Sequence, residues 1–400
     1  MVRPMSSPTS EAVPYWRLSS FYFFYFALYG AWIPFWPLYL KELGYGAAAI
    51  GVLAGILQGT KIIAPHLWGW LADRGALNRD SSRIRIVRSG AVAATLVFAF
   101  IFVRNDFTAL AAIIAGYSFF WNAVLSQFEV VTLAHLRNAY QRYSRIRLWG
   151  SIGFTASVAG LGFVFEWAPL GWLPAILLLL LAGIAFSSFL VSEPARVDPI
   201  EGAVTGSLRA VLRQPLVLAF LASCFLMQLG HGPYYTFFSV YLENNAYSRG
   251  QTGLLWSVGV VAEVVLFMNM HRLYNRYTLR FILLASLGLA ALRWLVIAFC
   301  VDSLPMLLIA QCLHAATFAS YHAVAIELVR RLFAGGLEGR GMALYSGVCW
   351  GGGAALGAVG SGLLWSVSEP LTFVAAAVAS LLAWAIAWVW IHPPLASPAK

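Results

Sequence analysis

Charge is what this sequence has least of. Only 10% of its 400 residues are charged, 26 Lys and Arg against 16 Asp and Glu, where a soluble domain carries about 25%. Soluble, disordered and fibrous classes are excluded together, because a folded surface with so few charges does not stay wet. Cysteine is scarce too. Cys224, Cys300, Cys312 and Cys349 each stand alone in an apolar segment, with no CxxC or Cys/His spacing. They read as small buried hydrophobes and imply neither a disulfide frame nor a metal site. No cleavage site follows the first apolar stretch, and the start is polar up to Pro14, so a removable signal peptide is not expected. No HExxH, GxSxG or DxxxD pattern occurs; an intramembrane enzyme is not expected, nor a cofactor or metal.

What is present is apolar. Hydrophobic residues make up 60% and the mean hydropathy is +0.76, which reads as a polytopic membrane protein. A span needs roughly 20 apolar residues. Breaks at charged or Gly/Pro clusters give twelve stretches, at 16–40, 47–72, 84–104, 107–136, 141–165, 170–191, 213–242, 250–270, 279–300, 304–332, 339–366 and 370–391. The fold class expected is therefore an all-α membrane protein. Twelve transmembrane helices would form two six-helix bundles, 16–191 and 213–391, with a tail at 1–15, a linker at 192–212 and a second tail at 392–400.

The net charge of +10 is a topology signal. On the side of the termini and alternate loops lie 21 of the 26 basic residues; the opposite loops hold three, Lys41, Arg104 and Arg249. This bias predicts both termini in the cytoplasm of a cell membrane, the bacterial inner membrane, and it removes nucleic acid from the expected partners. Those that remain are the lipid bilayer, a small-molecule substrate and a proton. A monomer is expected.

Shifting the sequence by 202 residues sets Gly30 on Gly232, Phe35 on Phe237, Tyr39 on Tyr241, Leu40 on Leu242, Tyr45 on Tyr247 and Gly51 on Gly253. Six identities in 22 positions exceed chance for this composition, and six spans per half make the repeat a parallel one. Transporters built this way hold their substrate near the midplane between two halves. The same shift sets Lys61 on Glu263, two mid-span residues of opposite charge.

A charge at mid-bilayer costs at least about 2.5–3.5 kcal/mol, so each one points to function. Lys61, Glu129, Glu263 and Arg293 qualify, with His314 and His322 beside them. Glu129 and Arg147 flank a polar apex near Asn138 at equal separations, which puts them at one depth on antiparallel helices, roughly 13 Å from the turn. Asn122, Ser126 and Glu129 form one polar stripe. Two readings of the Glu129–Arg147 pair stand, a cavity-facing site and a structural ion pair. Tyr25, Tyr29, Trp32 and Trp36 make an aromatic stripe on the first helix, and the repeat sets Tyr234 and Phe238 opposite Trp32 and Trp36. This stripe also has two readings, helix packing and a slot for a flat ligand. His314 and His322 stand about 80° apart on an ideal helix, an arrangement that would let both line one water path.

The hairpin Gly69-Trp70-Leu71-Ala72-Asp73-Arg74-Gly75 resembles the G-x-L-A-D-R-x-G signature of the major facilitator superfamily. The resemblance implies a conformational role for Gly69, Asp73 and Arg74, with Gly69 allowing close helix approach. The run from Ser144 to Phe154, with Arg145, Arg147 and Gly150, is similar to the start of helix five in the lactose-permease branch. There a glutamate 18 residues before the second arginine helps hold sugar, which matches Glu129 and Arg147. Glu263, Arg293 and His314 fall near that branch's proton-coupling carboxylate, arginine and histidine. Gln311 and Thr317 replace its lysine and glutamate.

A fuller similarity is to the phenylpropionate permease family. It rests on Tyr29-Gly30 with Pro34-Phe35-Trp36, on Arg147-Leu148-Trp149-Gly150-Ser151, and on Trp256 to Val264 including Glu263. Leu313-His314, Thr317-Phe318, His322 and Tyr345-Ser346 complete it. That resemblance implies proton symport of a small aromatic monocarboxylate such as 3-phenylpropionate. Lys61 would hold the carboxylate, with Asn122, Glu129, Arg147, Tyr29, Trp32, Trp36, Tyr234 and Phe238 around it. Glu263, Arg293, His314 and His322 would carry the proton. Symport of a sugar or nucleoside is the alternative, and drug efflux a weaker one.

Overall fold

The computed structural model describes residues 13–77, 83–136, 142–193 and 206–392, with only the backbone for 72–77. The N-terminal tail to residue 12, most of the expected linker and the tail after 392 lie outside the described residues. The rest is helical: α1 Tyr15–Glu42, α2 Ala47–Leu77, α3 Arg83–Phe102, α4 Phe107–Leu136, α5 Tyr143–Trp167, α6 Leu170–Phe189. After a short turn of helix, Leu208–Leu212, come α7 Pro215–Asn244, α8 Arg249–Arg276, α9 Leu279–Phe299, α10 Leu304–Leu332, α11 Glu338–Trp365 and α12 Glu369–Trp390. The structure shows no strand among these residues.

Eleven of these helices, α2 to α12, are long and apolar enough to cross a membrane. α1 is as long but rich in Tyr, Trp and Pro, which score low on hydropathy, and most of its length is buried among its neighbours. Large apolar side chains such as Leu179 (71%) and Met268 (72%) are left bare on the outside. This is the surface of a multi-pass membrane protein, which lipid covers.

The helix pairs in contact recur with the numbering raised by six. α1 packs on α5 and α6, α7 on α11 and α12; α3 packs on α4, α9 on α10; α2 packs on α11, and α8 on α5. The repeated residues explain the match. Gly30 on α1 abuts the backbone of α5, where a Cβ would stand 2.5 Å from the Phe154 carbonyl oxygen, and Gly232 on α7 abuts Gly357 of α11. Gly51 meets Gly362 where α2 crosses α11, and Gly253 meets Gly162 where α8 crosses α5. Small residues at these crossings let backbones approach where lipid supplies no hydrophobic drive.

Two turns are duplicated as well. After α1, the Tyr45 N–H donates to Leu40 O (3.0 Å) and Gly44 N–H to Lys41 O (2.9 Å), with Gly44 at φ +86°. After α7, Tyr247 N–H donates to Leu242 O (3.0 Å) and Ala246 N–H to Glu243 O (3.2 Å), with Ala246 at φ +62°. Each is a Schellman ending. Each tyrosine hydroxyl then donates to the backbone of the next loop on the same face, Tyr45 to Asn105 O and Tyr247 to Val301 O, both at 2.7 Å. Two helices hold a π segment: one, Ala315–Ser320, follows His314 in α10, and another, Tyr345–Gly353, opens the middle of α11. Such segments concentrate at functional sites.

Candidate functional site

Lys61 sits midway along α2. Its Nζ donates to Gln58 Oε1 one turn earlier, at 2.6 Å, and stands 5.9 Å from the centre of the Tyr29 ring on α1. No carboxylate among the described residues comes within ion-pair distance of it. A ladder fixes the helix at the preceding residue: Asn122 Nδ2 donates to Thr60 Oγ1 (2.8 Å), Thr60 to Ser118 Oγ (3.0 Å), and Ser118 to Ile114 O. Asn122 is thus spent on tying α4 to α2, beside the lysine.

The aromatic stripe of α1 packs largely on α3 and α4. Tyr25 stacks on Trp121 (5.0 Å), Trp32 on Trp36 (4.2 Å) and against Tyr117 (5.1 Å), and Trp36 approaches Phe98. All three of Tyr25, Trp32 and Trp36 are buried. Tyr29 rests on Trp121 at 4.6 Å but stays half-buried, with a face toward Lys61.

Glu129 and Arg147 come into one neighbourhood without pairing. Glu129 accepts from Tyr143 Oη at 3.4 Å. The Arg147 guanidinium lies 3.9 Å from the centre of Phe26 and 5.7 Å from that of Tyr22, a cation–π seat. Gly150 makes the seat possible, since a Cβ there would stand 2.7 Å from both Arg147 Nη1 and the Phe26 ring.

Glu263, His314 and Arg293 form a continuous chain. His314 Nε2 lies 2.7 Å from Glu263 Oε1, and His314 Nδ1 lies 2.8 Å from Arg293 Nη1. A guanidinium only donates, so Nδ1 accepts and the imidazole is the neutral Nε2–H tautomer, donating to a carboxylate. Arg293 is fully buried; Nε donates to Ala310 O (2.9 Å), Nη1 also approaches Thr317 Oγ1, and its plane covers the Tyr234 ring at 4.1 Å. Tyr234 donates to Gln311 Oε1 at 2.7 Å and packs on Trp256 and Phe238. The repeat sets Tyr234 and Phe238 opposite the α1 tryptophans in register. In space both belong with the charged chain of the second half.

His322 accepts from or donates to Tyr345 Oη at 3.2 Å, and the Phe318 ring stands between it and His314. The π segment separates the two histidines, so the ideal-helix angle does not apply to them. Among the described residues nothing lies within 4 Å of a would-be Cβ at Gly69, so none of them makes a close helix approach there. The side chains of Asp73 and Arg74 lie outside the described residues. His231 on α7 escaped sequence reading. It is buried, Nδ1–H donates to Met227 O (2.8 Å), and its ring lies edge-on to Trp294 and 6.3 Å from His314. Its place beside the repeated Gly232 was the available signal.

On the face away from the termini, charged groups bridge α1 and α5 to α7 and α8. Lys41 Nζ reaches Glu243 (2.8 Å) and Asn244 (2.6 Å), Arg249 pairs with Glu42, and Glu166 accepts from Ser248 Oγ (2.6 Å) and Gly250 N–H (3.1 Å). That face is closed.

Comparison with known proteins places these features in a lineage. The profile described as MFS_1 like family matches residues 15–375. A "Probable 3-phenylpropionic acid transporter" of Escherichia coli is 30% identical over 359 residues, covering 86% of this chain and 89% of that one. A "Maltose permease" of Geobacillus stearothermophilus is 26% identical over 347 residues, 84% of this chain and 83% of that one. The crystal structure of nucleoside transporter NupG (D323A mutant) superposes with a TM-score of 0.83 at 15% identity, over 94% of this chain and all of that chain; it shows a shared fold. With the profile spanning most of its length, the chain belongs to the MFS_1 like family of membrane transporters.

Proposed function

We propose that the chain is a proton-coupled symporter importing a small aromatic monocarboxylate by alternating access. Its frame is a twelve-span carrier of two pseudo-symmetric six-helix bundles, joined by the linker, with both termini cytoplasmic in the bacterial inner membrane and a single chain as the working unit. The recurrence of helix pairs at intervals of six supports the two bundles. The enclosure of α1 supports its being the twelfth span, because a helix shielded from lipid has no need of high hydropathy.

The observation that carries the substrate reading is Lys61, a cation inside the membrane held by one amide oxygen and overlooking Tyr29. A monoanion entering there neutralises it, and the ring gains the Tyr29 face. The name of the Escherichia coli relative agrees in class. Coupling is assigned to Glu263. In the arrangement described, Arg293 holds His314 as a donor to the Glu263 carboxylate. A proton on Glu263 removes that demand and frees α8 from α10. Because α8 also crosses α5 at Gly253, the change passes to the other half.

External pH in weakly buffered cells tests this. Addition of 3-phenylpropionate should alkalinise the medium, and Glu263→Gln should abolish the signal while leaving counterflow. Uptake with no pH change would end the coupling assignment. A sugar or nucleoside is the second reading, favoured by one observation: Glu129 and Arg147 do not neutralise each other, leaving both for hydroxyl groups. Alkalinisation by maltose, lactose or uridine alone would select it.

A further inference from the structure

Where the two halves meet, between α1, α2, α7 and α11, there is a narrow cleft of about 30 Å³ lined by Trp32, Trp36, Gln58, Tyr235 and Thr236. That is room for about two water-sized groups. No charged side chain lines it. Polar groups around it lack partners among the described residues. Trp36 is 2% exposed and its Nε1–H is unsatisfied. The Thr236 and Tyr235 hydroxyls make no hydrogen bond to a described residue, and neither oxygen is sealed from solvent. Gln58 has given its Oε1 to Lys61 and keeps its amide N–H groups free. Buried polar groups are almost always paired, and leaving one unmade costs more than making it returns. One buried donor left unmade, the Trp36 indole N–H, beside three further polar groups with no protein partner indicates an occupant.

The chemistry of the lining selects the occupant. A second carboxylate would be buried here with no cation. An apolar substituent would leave every donor unpaired. A hydroxyl fits, because it accepts from the Trp36 indole and the Gln58 amide and donates to Thr236 or Tyr235. The cleft starts one side chain from the cation, since the same Gln58 that lines it holds Lys61. Resting on the aromatic-acid reading of the site, we infer that the substrate is an arylalkanoate with a hydroxyl on its ring, the carboxylate at Lys61 and the hydroxyl in this cleft. Trp32, Trp36 and Gln58 come from one half and Tyr235 and Thr236 from the other. Binding the hydroxyl therefore helps draw the halves together.

The test is uptake into proteoliposomes of 3-phenylpropionate, 3-(3-hydroxyphenyl)propionate and 3-(4-hydroxyphenyl)propionate. At least one hydroxylated acid should show a kcat/KM about tenfold above the unsubstituted acid. Thr236→Val, which keeps the shape, and Trp36→Phe, which removes the indole N–H, should each cut that ratio several-fold. Equal kcat/KM for all three acids in the unaltered protein overturns the inference and leaves the aromatic-acid reading standing; this ratio decides even where a variant does not fold. Uptake of uridine or maltose with none of the three acids overturns both.

Discussion

In the proposed site, Lys61 is the single residue assigned most of the chemistry. Its charge is offset by one neutral amide, so a bound carboxylate provides the strongest interaction available to it. Removing one partner of a buried charge pair costs about 2–5 kcal/mol. Lys61→Gln should therefore weaken 3-phenylpropionate binding at least ~30-fold and leave the affinity for its neutral amide nearly unchanged, as read by competition against a labelled substrate. Equal loss for acid and amide would mean that Lys61 is structural. The lysine was legible in sequence because a charge at mid-span is costly there. Its keeper Gln58 was not, since a glutamine three residues back is unremarkable until the two atoms are seen 2.6 Å apart. Likewise Glu263, Arg293 and His314 stood out singly, while their order, with histidine in the middle, and the part of Tyr234 came only from geometry.

At the scale of elements, most helices lay where apolar runs predicted them: 107–136 matches α4, and 16–40 falls two residues or fewer from α1 at each end. The repeat gave Leu40/Leu242 and Tyr45/Tyr247 as identities, and the duplicated turn supplies their reason. That turn also holds a local conflict. Gly44 takes positive φ freely, but its counterpart Ala246 holds φ +62°, a conformation costing an L-residue roughly 1–2 kcal/mol. Ala246→Gly should raise the detergent-solubilised protein's stability by about 1 kcal/mol, and Gly44→Ala should lower it by a similar amount, both read from thermal midpoints. An unchanged midpoint in both would show that neighbouring contacts set the stability of these turns. The π segments of α10 and α11 were invisible beforehand, because composition does not distinguish an i→i+5 turn from an α turn. The one in α10 is also why an ideal-helix angle does not relate His314 to His322.

The whole molecule is held shut on one face by charges joining its halves. Lys41 and Glu243 are 39% and 29% exposed, so the pair is screened by salt and contributes at most about 1 kcal/mol. That is enough to shift a balance between two carrier states several-fold. Lys41→Gln and Glu243→Gln should each increase labelling of a cysteine placed at Thr236 by a membrane-impermeant thiol reagent added from that face. The exchange Lys41→Glu with Glu243→Lys should restore protection. Unaltered labelling in all variants would assign closure to the glycine crossings alone. The proposed two-bundle plan rests on span count and repeat; the latch was not readable, although the shift of 202 lays Lys41 on Glu243 just as it lays Lys61 on Glu263. Residues related by an internal twofold touch only near its axis. Lys41 and Glu243 touch; Glu263 finds His314 instead.

That meeting on the axis bears on how the chain descended. A carrier assembled from two identical halves would bring each axial side chain against its own copy: two ammonium groups if both were the first half, two carboxylates if both were the second. The attraction between Lys41 and Glu243 exists only once the copies differ. Two separate first halves, or two second halves, would repel at the point where unlike halves now attract. At this position and its repeat mate the duplicated parts are no longer equivalent, and exchanging them would be disfavoured by about 1 kcal/mol.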